Sequence, residues 1–198
     1  MTIKSVRAVS YRAMERWRDE PHSSPLTSWT LWFDNIWVVH ITDVGAQLLF
    51  RESDKLISLQ FEDIDPNWFG KSKGYMEDDD QIASGMFSGE RIFSQPDAEK
   101  VLDFLKKANL RGDTNDALLV NCMAGVSRSG AVVDFARVMF GIDYNDFRRL
   151  NPRIVPNTHV KRMLFSVWQA EPAQTEKGDE DNSTTLDAVE HDDEPTRE

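Results

Sequence analysis

Thirteen residues, Leu118-Leu119-Val120-Asn121-Cys122-Met123-Ala124-Gly125-Val126-Ser127-Arg128-Ser129-Gly130, constrain this fold more than any other stretch. The apolar run before Asn121 reads as the end of a buried strand. The run from Ser129 to Phe140 is apolar for long enough to form a central helix. Cys122 therefore falls at the turn between a strand and a helix N-terminus. The first N–H groups of a helix lack partners within it and carry the positive end of its dipole, so such a turn binds anions, phosphate above all. The same field favours thiolate over thiol. Arg128 adds a planar fork that can hold two phosphate oxygens. A nucleophile, an anion cradle and a guanidinium this close together point to phosphoryl transfer onto cysteine. The competing reading, an inert cysteine packed like a small hydrophobe, leaves the Arg-Ser pair at the mouth of an apolar helix without a reason.

Cys122, with Arg128 six positions on and Ser129 after it, resembles the Cys-x5-Arg-Ser/Thr signature of the protein tyrosine phosphatase superfamily. Gly125, three residues after the cysteine, makes it most similar to the dual-specificity branch. Upstream, Phe61-Glu62-Asp63-Ile64-Asp65-Pro66 resembles the Phe-Asp/Glu-Asp-x-x-Pro segment of that branch, which carries the general acid. Asp63 matches the acid's position, and Asp65, directly before the proline, is its rival. Both could instead mark an exposed turn. Near the end, Pro156-Asn157 before a last helix is similar to the branch as well. The resemblance spans about residues 55–168.

The resemblance implies a two-step covalent mechanism. Cys122 attacks phosphorus. The backbone N–H groups of Met123, Ala124, Gly125, Val126, Ser127 and Arg128, with the Arg128 guanidinium, hold the equatorial oxygens. Asp63 protonates the leaving oxygen and later activates water, and Ser129 hydrogen-bonds the sulfur as it leaves. No metal or other cofactor is expected. One departure stands out: the family usually has His directly before the cysteine, and here that residue is Asn121. An asparagine can hydrogen-bond but cannot carry charge, so a slower enzyme is expected. The neutral loop residues Met123, Ala124, Val126 and Ser127 argue against a polyanionic inositol headgroup. The expected partner is a phosphorylated protein or peptide, with phosphotyrosine first and phosphoserine or phosphothreonine as the wider class. A pseudophosphatase that binds phosphate without turnover is the alternative. A rhodanese-type sulfurtransferase fits the Cys122–Arg128 spacing and the upstream aspartate poorly.

The rest of the chain predicts the scaffold. Ile3–Ser10, Asn35–Ile41, Lys55–Phe61 and Ala117–Asn121 read as strands. Tyr11–Arg18, the segment after Ser94, the segment after Ser129, Asp143–Leu150 and His159–Trp168 read as helices, with Ser94 and Asp97 forming a capping box. This alternation predicts a three-layer α/β fold with a central mixed, partly parallel sheet, similar to the dual-specificity phosphatases. Ligands bind beyond the carboxyl ends of strands in such sheets, which is where Cys122 falls. His40, in a β-branched strand with no partner nearby in sequence, reads as structural rather than catalytic. Asn67–Gly89 reads as a glycine-rich flap in which Trp68, Phe69 and Tyr75 either line an entrance or pack on the core.

Charge separates two regions. Residues 171–198 hold eleven Asp/Glu and two Lys/Arg, while residues 1–170 are nearly balanced, with 23 acidic and 21 basic side chains. Residues 1–170 are expected to form the catalytic domain and 171–198 a disordered acidic tail. No basic face suggests nucleic acid. A single cysteine excludes an internal disulfide. The leading residues show no signal-peptide run, and no stretch is long enough to span a membrane, so a cytoplasmic setting without membrane contact is expected.

Overall fold

The computed structural model describes residues 3–22, 24, 26–27, 35–64, 91–112 and 114–171. The rival acid Asp65, the expected flap and residues 172–198 of the expected tail lie outside them. Four strands, β1 (Ser5–Ser10), β2 (Asn35–Thr42), β3 (Leu56–Gln60) and β4 (Asp116–Cys122), form one sheet in the order β1-β4-β2-β3. Every neighbouring pair is parallel. The expected mixed sheet is thus corrected: the named strands are all parallel, because each reaches the next through a crossover rather than a hairpin.

Five helices complete the described chain: α1 (Tyr11–Asp19), α2 (Gln95–Arg111), α3 (Arg128–Met139), α4 (Tyr144–Leu150) and α5 (Thr158–Ala170). Their starts follow local chemistry. Ser94 donates its hydroxyl to Asp97 Oδ2 at 2.7 Å while its backbone N–H bonds the same oxygen, closing the expected capping box at α2. Asp143 and Asn157 accept N–H groups at the starts of α4 and α5. Gly141, at φ +65, ends α3 in the left-handed conformation that side chains resist.

The alternation of strand side chains builds two apolar layers. On one face Val6, Trp37, Val39, Ile41, Leu59, Leu118, Val120 and Cys122 pack with buried residues of α2, α3 and α5. On the other, Val9, Val38 and Leu119 pack with Met14 of α1, Leu26 and Leu49. Helices on both faces give the three-layer α/β architecture. β4 is buried along its whole length, which is why it reads as a continuous apolar run rather than an alternating one. The parity also assigns sides: Cys122 belongs to the α3 layer, and its neighbour Asn121 to the α1 layer.

β1 lies at the sheet's edge. The Asn151 amide covers it, accepting from Ala8 N–H at 2.8 Å and donating to Val6 C=O at 2.9 Å. The last connection of the fold thereby satisfies backbone groups that an open edge would leave unpaired. Among the described residues no helix is long and apolar enough to cross a membrane.

Candidate functional site

Cys122 is the last residue of β4, not a turn residue, and α3 begins at Arg128, one residue earlier than the sequence pattern suggests. Between them, residues 123–127 form the expected loop at the carboxyl end of the central strand. Gly125 shapes it. Its φ is +73, and a Cβ there would come within 2.5 Å of Val9 C and Ser10 N. Only glycine combines that left-handed conformation with such close backbone approach.

The loop's carbonyls are spent on the scaffold. Tyr11 N–H donates to Met123 C=O at 3.3 Å, Val155 N–H to Val126 C=O at 3.2 Å, and Asn157 N–H to Ser127 C=O at 3.2 Å. In a trans peptide the C=O and the next N–H point opposite ways. The N–H groups of Ala124, Ser127 and Arg128 therefore point away from those scaffold donors. A nest of this kind, at the start of α3, favours an anion.

Cys122 is buried, and its Sγ lies 3.1 Å from Ser129 Oγ. The Arg128 side chain is only 3 % exposed, so its charge requires partners. Its Nη1 donates to Phe61 C=O at 2.6 Å and lies 2.6 Å from Asp43 Oδ1. Its Nε is buried without a hydrogen-bond partner among the described residues, and Asp63 Oδ2 stands 3.9 Å away. One end of the guanidinium is thus anchored, and a buried N–H donor remains on its other edge.

Asp63, the expected proton donor, lies in the connection that follows β3. Its Oδ1 accepts from Ser127 Oγ at 2.8 Å and from Asn157 Nδ2 at 2.9 Å. The loop after β3 is thereby docked on the loop after β4. Cys122, Arg128, Asp63, Ser129 and Met123–Ser127 all meet at one end of the sheet. Met123 is half-exposed beside the buried cysteine.

Three further residues belong to this neighbourhood. Asp43 anchors Arg128 from the connection after β2, and Asn157 both caps α5, accepting from Val160 N–H at 3.0 Å, and holds Asp63. His40, which the sequence leaves without a partner, has one: its Nδ1 lies 2.9 Å from Asn121 Oδ1, 81 residues away. Pairing of β2 with β4 sets His40 directly opposite Asn121. The clue in the sequence is that a polar residue in each of two buried strands needs a partner. Burial pushes the His40 imidazole below its ordinary value, and the Asn121 bond offsets this only in part.

A cavity of about 370 Å³ flanks the loop, lined by Arg7, Ser10, Gly125 and Arg153 among others. It shares Ala124–Val126 with the loop and is not lined by Cys122. In comparisons with known proteins, the chain matches no protein-family model and no curated sequence.

Proposed function

We propose that this chain is a cysteine-dependent phosphatase similar to the dual-specificity branch of the protein tyrosine phosphatases, and that it hydrolyses phosphotyrosine in proteins or peptides. The observation that carries the reading is the Cys122–Ser129 contact at 3.1 Å, at the mouth of a loop closed by the anchored Arg128. A merely structural cysteine explains neither the hydroxyl at its sulfur nor a buried guanidinium at the far end of the same loop.

In this reading Cys122 thiolate attacks phosphorus in line, forming the S–P bond as the P–O ester bond breaks. The Arg128 Nε–Nη2 edge takes two equatorial oxygens while Nη1 stays with Asp43 and Phe61 C=O. The N–H groups of Ala124, Ser127 and Arg128 take the remaining charge. Asp63 gives its proton to the leaving oxygen. Water then attacks the phosphocysteine, Asp63 takes the water's proton, and the S–P bond breaks to return the thiolate, which Ser129 Oγ stabilises. The neutral loop and the partly exposed Met123 suit an aryl phosphoester better than a polyphosphorylated sugar. Phosphoserine and phosphothreonine are the test of how wide the specificity is.

The experiment is metal-free steady-state hydrolysis of an aryl phosphate and a phosphotyrosine peptide by the wild type, Cys122→Ser and Asp63→Ala. The expected result is turnover abolished by the first change and cut by the second. Turnover that survives Cys122→Ser would overturn the reading. Vanadate or phosphopeptide binding without wild-type turnover would replace it with a phosphate-binding pseudophosphatase.

A further inference from the structure

His40 and Asn121 are both fully buried and face each other across β2 and β4, one residue before the nucleophile. Leu49 N–H donates to His40 Nε2 at 3.2 Å. That nitrogen is therefore an acceptor, and a neutral imidazole must carry its proton on Nδ1. The Nδ1–H then donates to Asn121 Oδ1 at 2.9 Å, which fixes the amide's orientation. The opposite end of that amide, Asn121 Nδ2, is buried with no acceptor among the described residues. Rings wall the imidazole in: Tyr11 at 5.9 Å and Phe50 at 5.7 Å between centroids. Of these neighbours only Tyr11 titrates.

We propose that His40 is the positioning residue of the site, supplying from β2 the imidazole that the chain lacks at position 121, and holding Cys122 and Arg128 in register. The two bonds of the imidazole join two parts of the machinery. Through Asn121 it clamps the end of β4 that presents Cys122. Through Leu49 it clamps the connection that begins at Asp43, the anchor of Arg128. The imidazole is neutral, so it acts by geometry rather than charge. Protonating Nε2 would set two donors against each other at Leu49, which explains why a buried, uncharged histidine suits this place. The kinetic part of the inference rests on the phosphatase reading, whereas the structural part does not.

The test compares wild type, His40→Asn, and the exchange variant carrying His40→Asn with Asn121→His. Iodoacetamide alkylation of Cys122 is followed across the neutral pH range, kcat and KM are measured on an aryl phosphate, and thermal unfolding checks the fold. His40→Asn is expected to lower kcat and the neutral-pH alkylation rate by roughly tenfold through misplacement of the cysteine, with little change in KM. The exchange variant is expected to recover most of both. A folded His40→Asn that alkylates and turns over like wild type would overturn the proposal, as would an exchange variant no better than the single one. Nitrogen-15 NMR of histidine-labelled wild type needs no variant: an Nδ1–H tautomer is expected at His40, and an Nε2–H tautomer would overturn it. Alkylation and NMR need no phosphoester. A chain without turnover therefore loses the phosphatase reading alone, and an active enzyme indifferent to His40 loses only this inference.

Discussion

Ser127 Oγ and Asp63 Oδ1 stand 2.8 Å apart although 64 residues of chain separate them. Asn157 reaches the same oxygen at 2.9 Å from a third segment. Three parts of the chain thus converge on one carboxylate beside the loop after β4. In the proposed reaction this carboxylate serves the leaving group, and the first consequence concerns its proton.

Replacing Asp63 with Asn keeps an acceptor for Ser127 and Asn157 but removes the proton donor. On a phosphotyrosine peptide kcat is expected to fall about a hundredfold, within the range of a lost general acid. On aryl phosphates whose phenols are strong acids the loss should shrink, because those leaving groups need no proton. A leaving-group series measures this directly, and an equal loss across the series would contradict the assignment.

Asp43 is the ion-pair partner of a buried arginine but is itself partly exposed. Solvent therefore screens the pair, and Asp43→Ala should act mainly by letting the guanidinium wander. We expect kcat/KM to fall roughly tenfold, about 1.4 kcal/mol of lost transition-state binding. Asp43→Asn, which can still accept from Nη1, should lose less. Vanadate titration is the check: tighter binding in either variant would mean that Asp43 competes with the phosphate rather than orienting its receptor.

Gly125 and Gly45 have nearly the same φ, +73 and +77, but different surroundings. A Cβ at Gly125 would strike the backbone of Val9 and Ser10, whereas one at Gly45 would meet nothing within 4 Å. Gly45→Ala should cost about 1 kcal/mol for the left-handed conformation alone. Gly125→Ala should cost at least about 3 kcal/mol, strain plus backbone displacement, and should abolish phosphate binding. Urea unfolding of the two variants side by side measures the difference, and equal losses would mean that the loop relaxes away from β1.

Burial holds the folded His40 imidazole below its ordinary 6.5. As pH falls, the unfolded chain takes up this proton first. The stability is therefore complete above about pH 6.5, declines as pH drops below it, and levels once the folded imidazole also protonates. The steepest slope from one such group is about 1.4 kcal/mol per pH unit. Glu52 and Asp54, held below their ordinary 4.5 and 3.8 by Lys100 and Lys107, contribute losses only in more acidic solution. Urea midpoints measured from neutral pH down to about one unit below 6.5 should fall in wild type and fall less in His40→Gln.

The strand–loop–helix around Cys122 is legible in the sequence because its signals are local: an apolar run, a cysteine, a glycine and an arginine at fixed offsets. Caps at Ser94 and Asp143 are equally local, and each is seen where the residue types place it. The all-parallel sheet is less legible, since strand direction depends on how crossovers return rather than on any strand's own residues. Asp43 and His40 are hidden for a related reason. Each meets its partner only through the pairing of β2 with β4, which brings residues about eighty apart into contact. Asp43 in particular follows a strand in an ordinary connection, and nothing about its own neighbours distinguishes it from any other turn aspartate.

The strand order carries a consequence for how the molecule comes into being. β4 lies between β1 and β2, both of which leave the ribosome long before it does. Until residues 116–122 arrive, β1 has no neighbour among the described strands, and the backbone of Val9 and Ser10 has no loop to mould. A nascent chain of a hundred residues can pair β2 with β3 but holds neither the thiol nor the surface that shapes its loop. Once β4 is clear of the ribosome it can pair with both neighbours, and the Asn151 amide, later still in the chain, covers the outer edge. Reactivity at Cys122 should therefore appear late and all at once during synthesis, as a signature of the completed sheet.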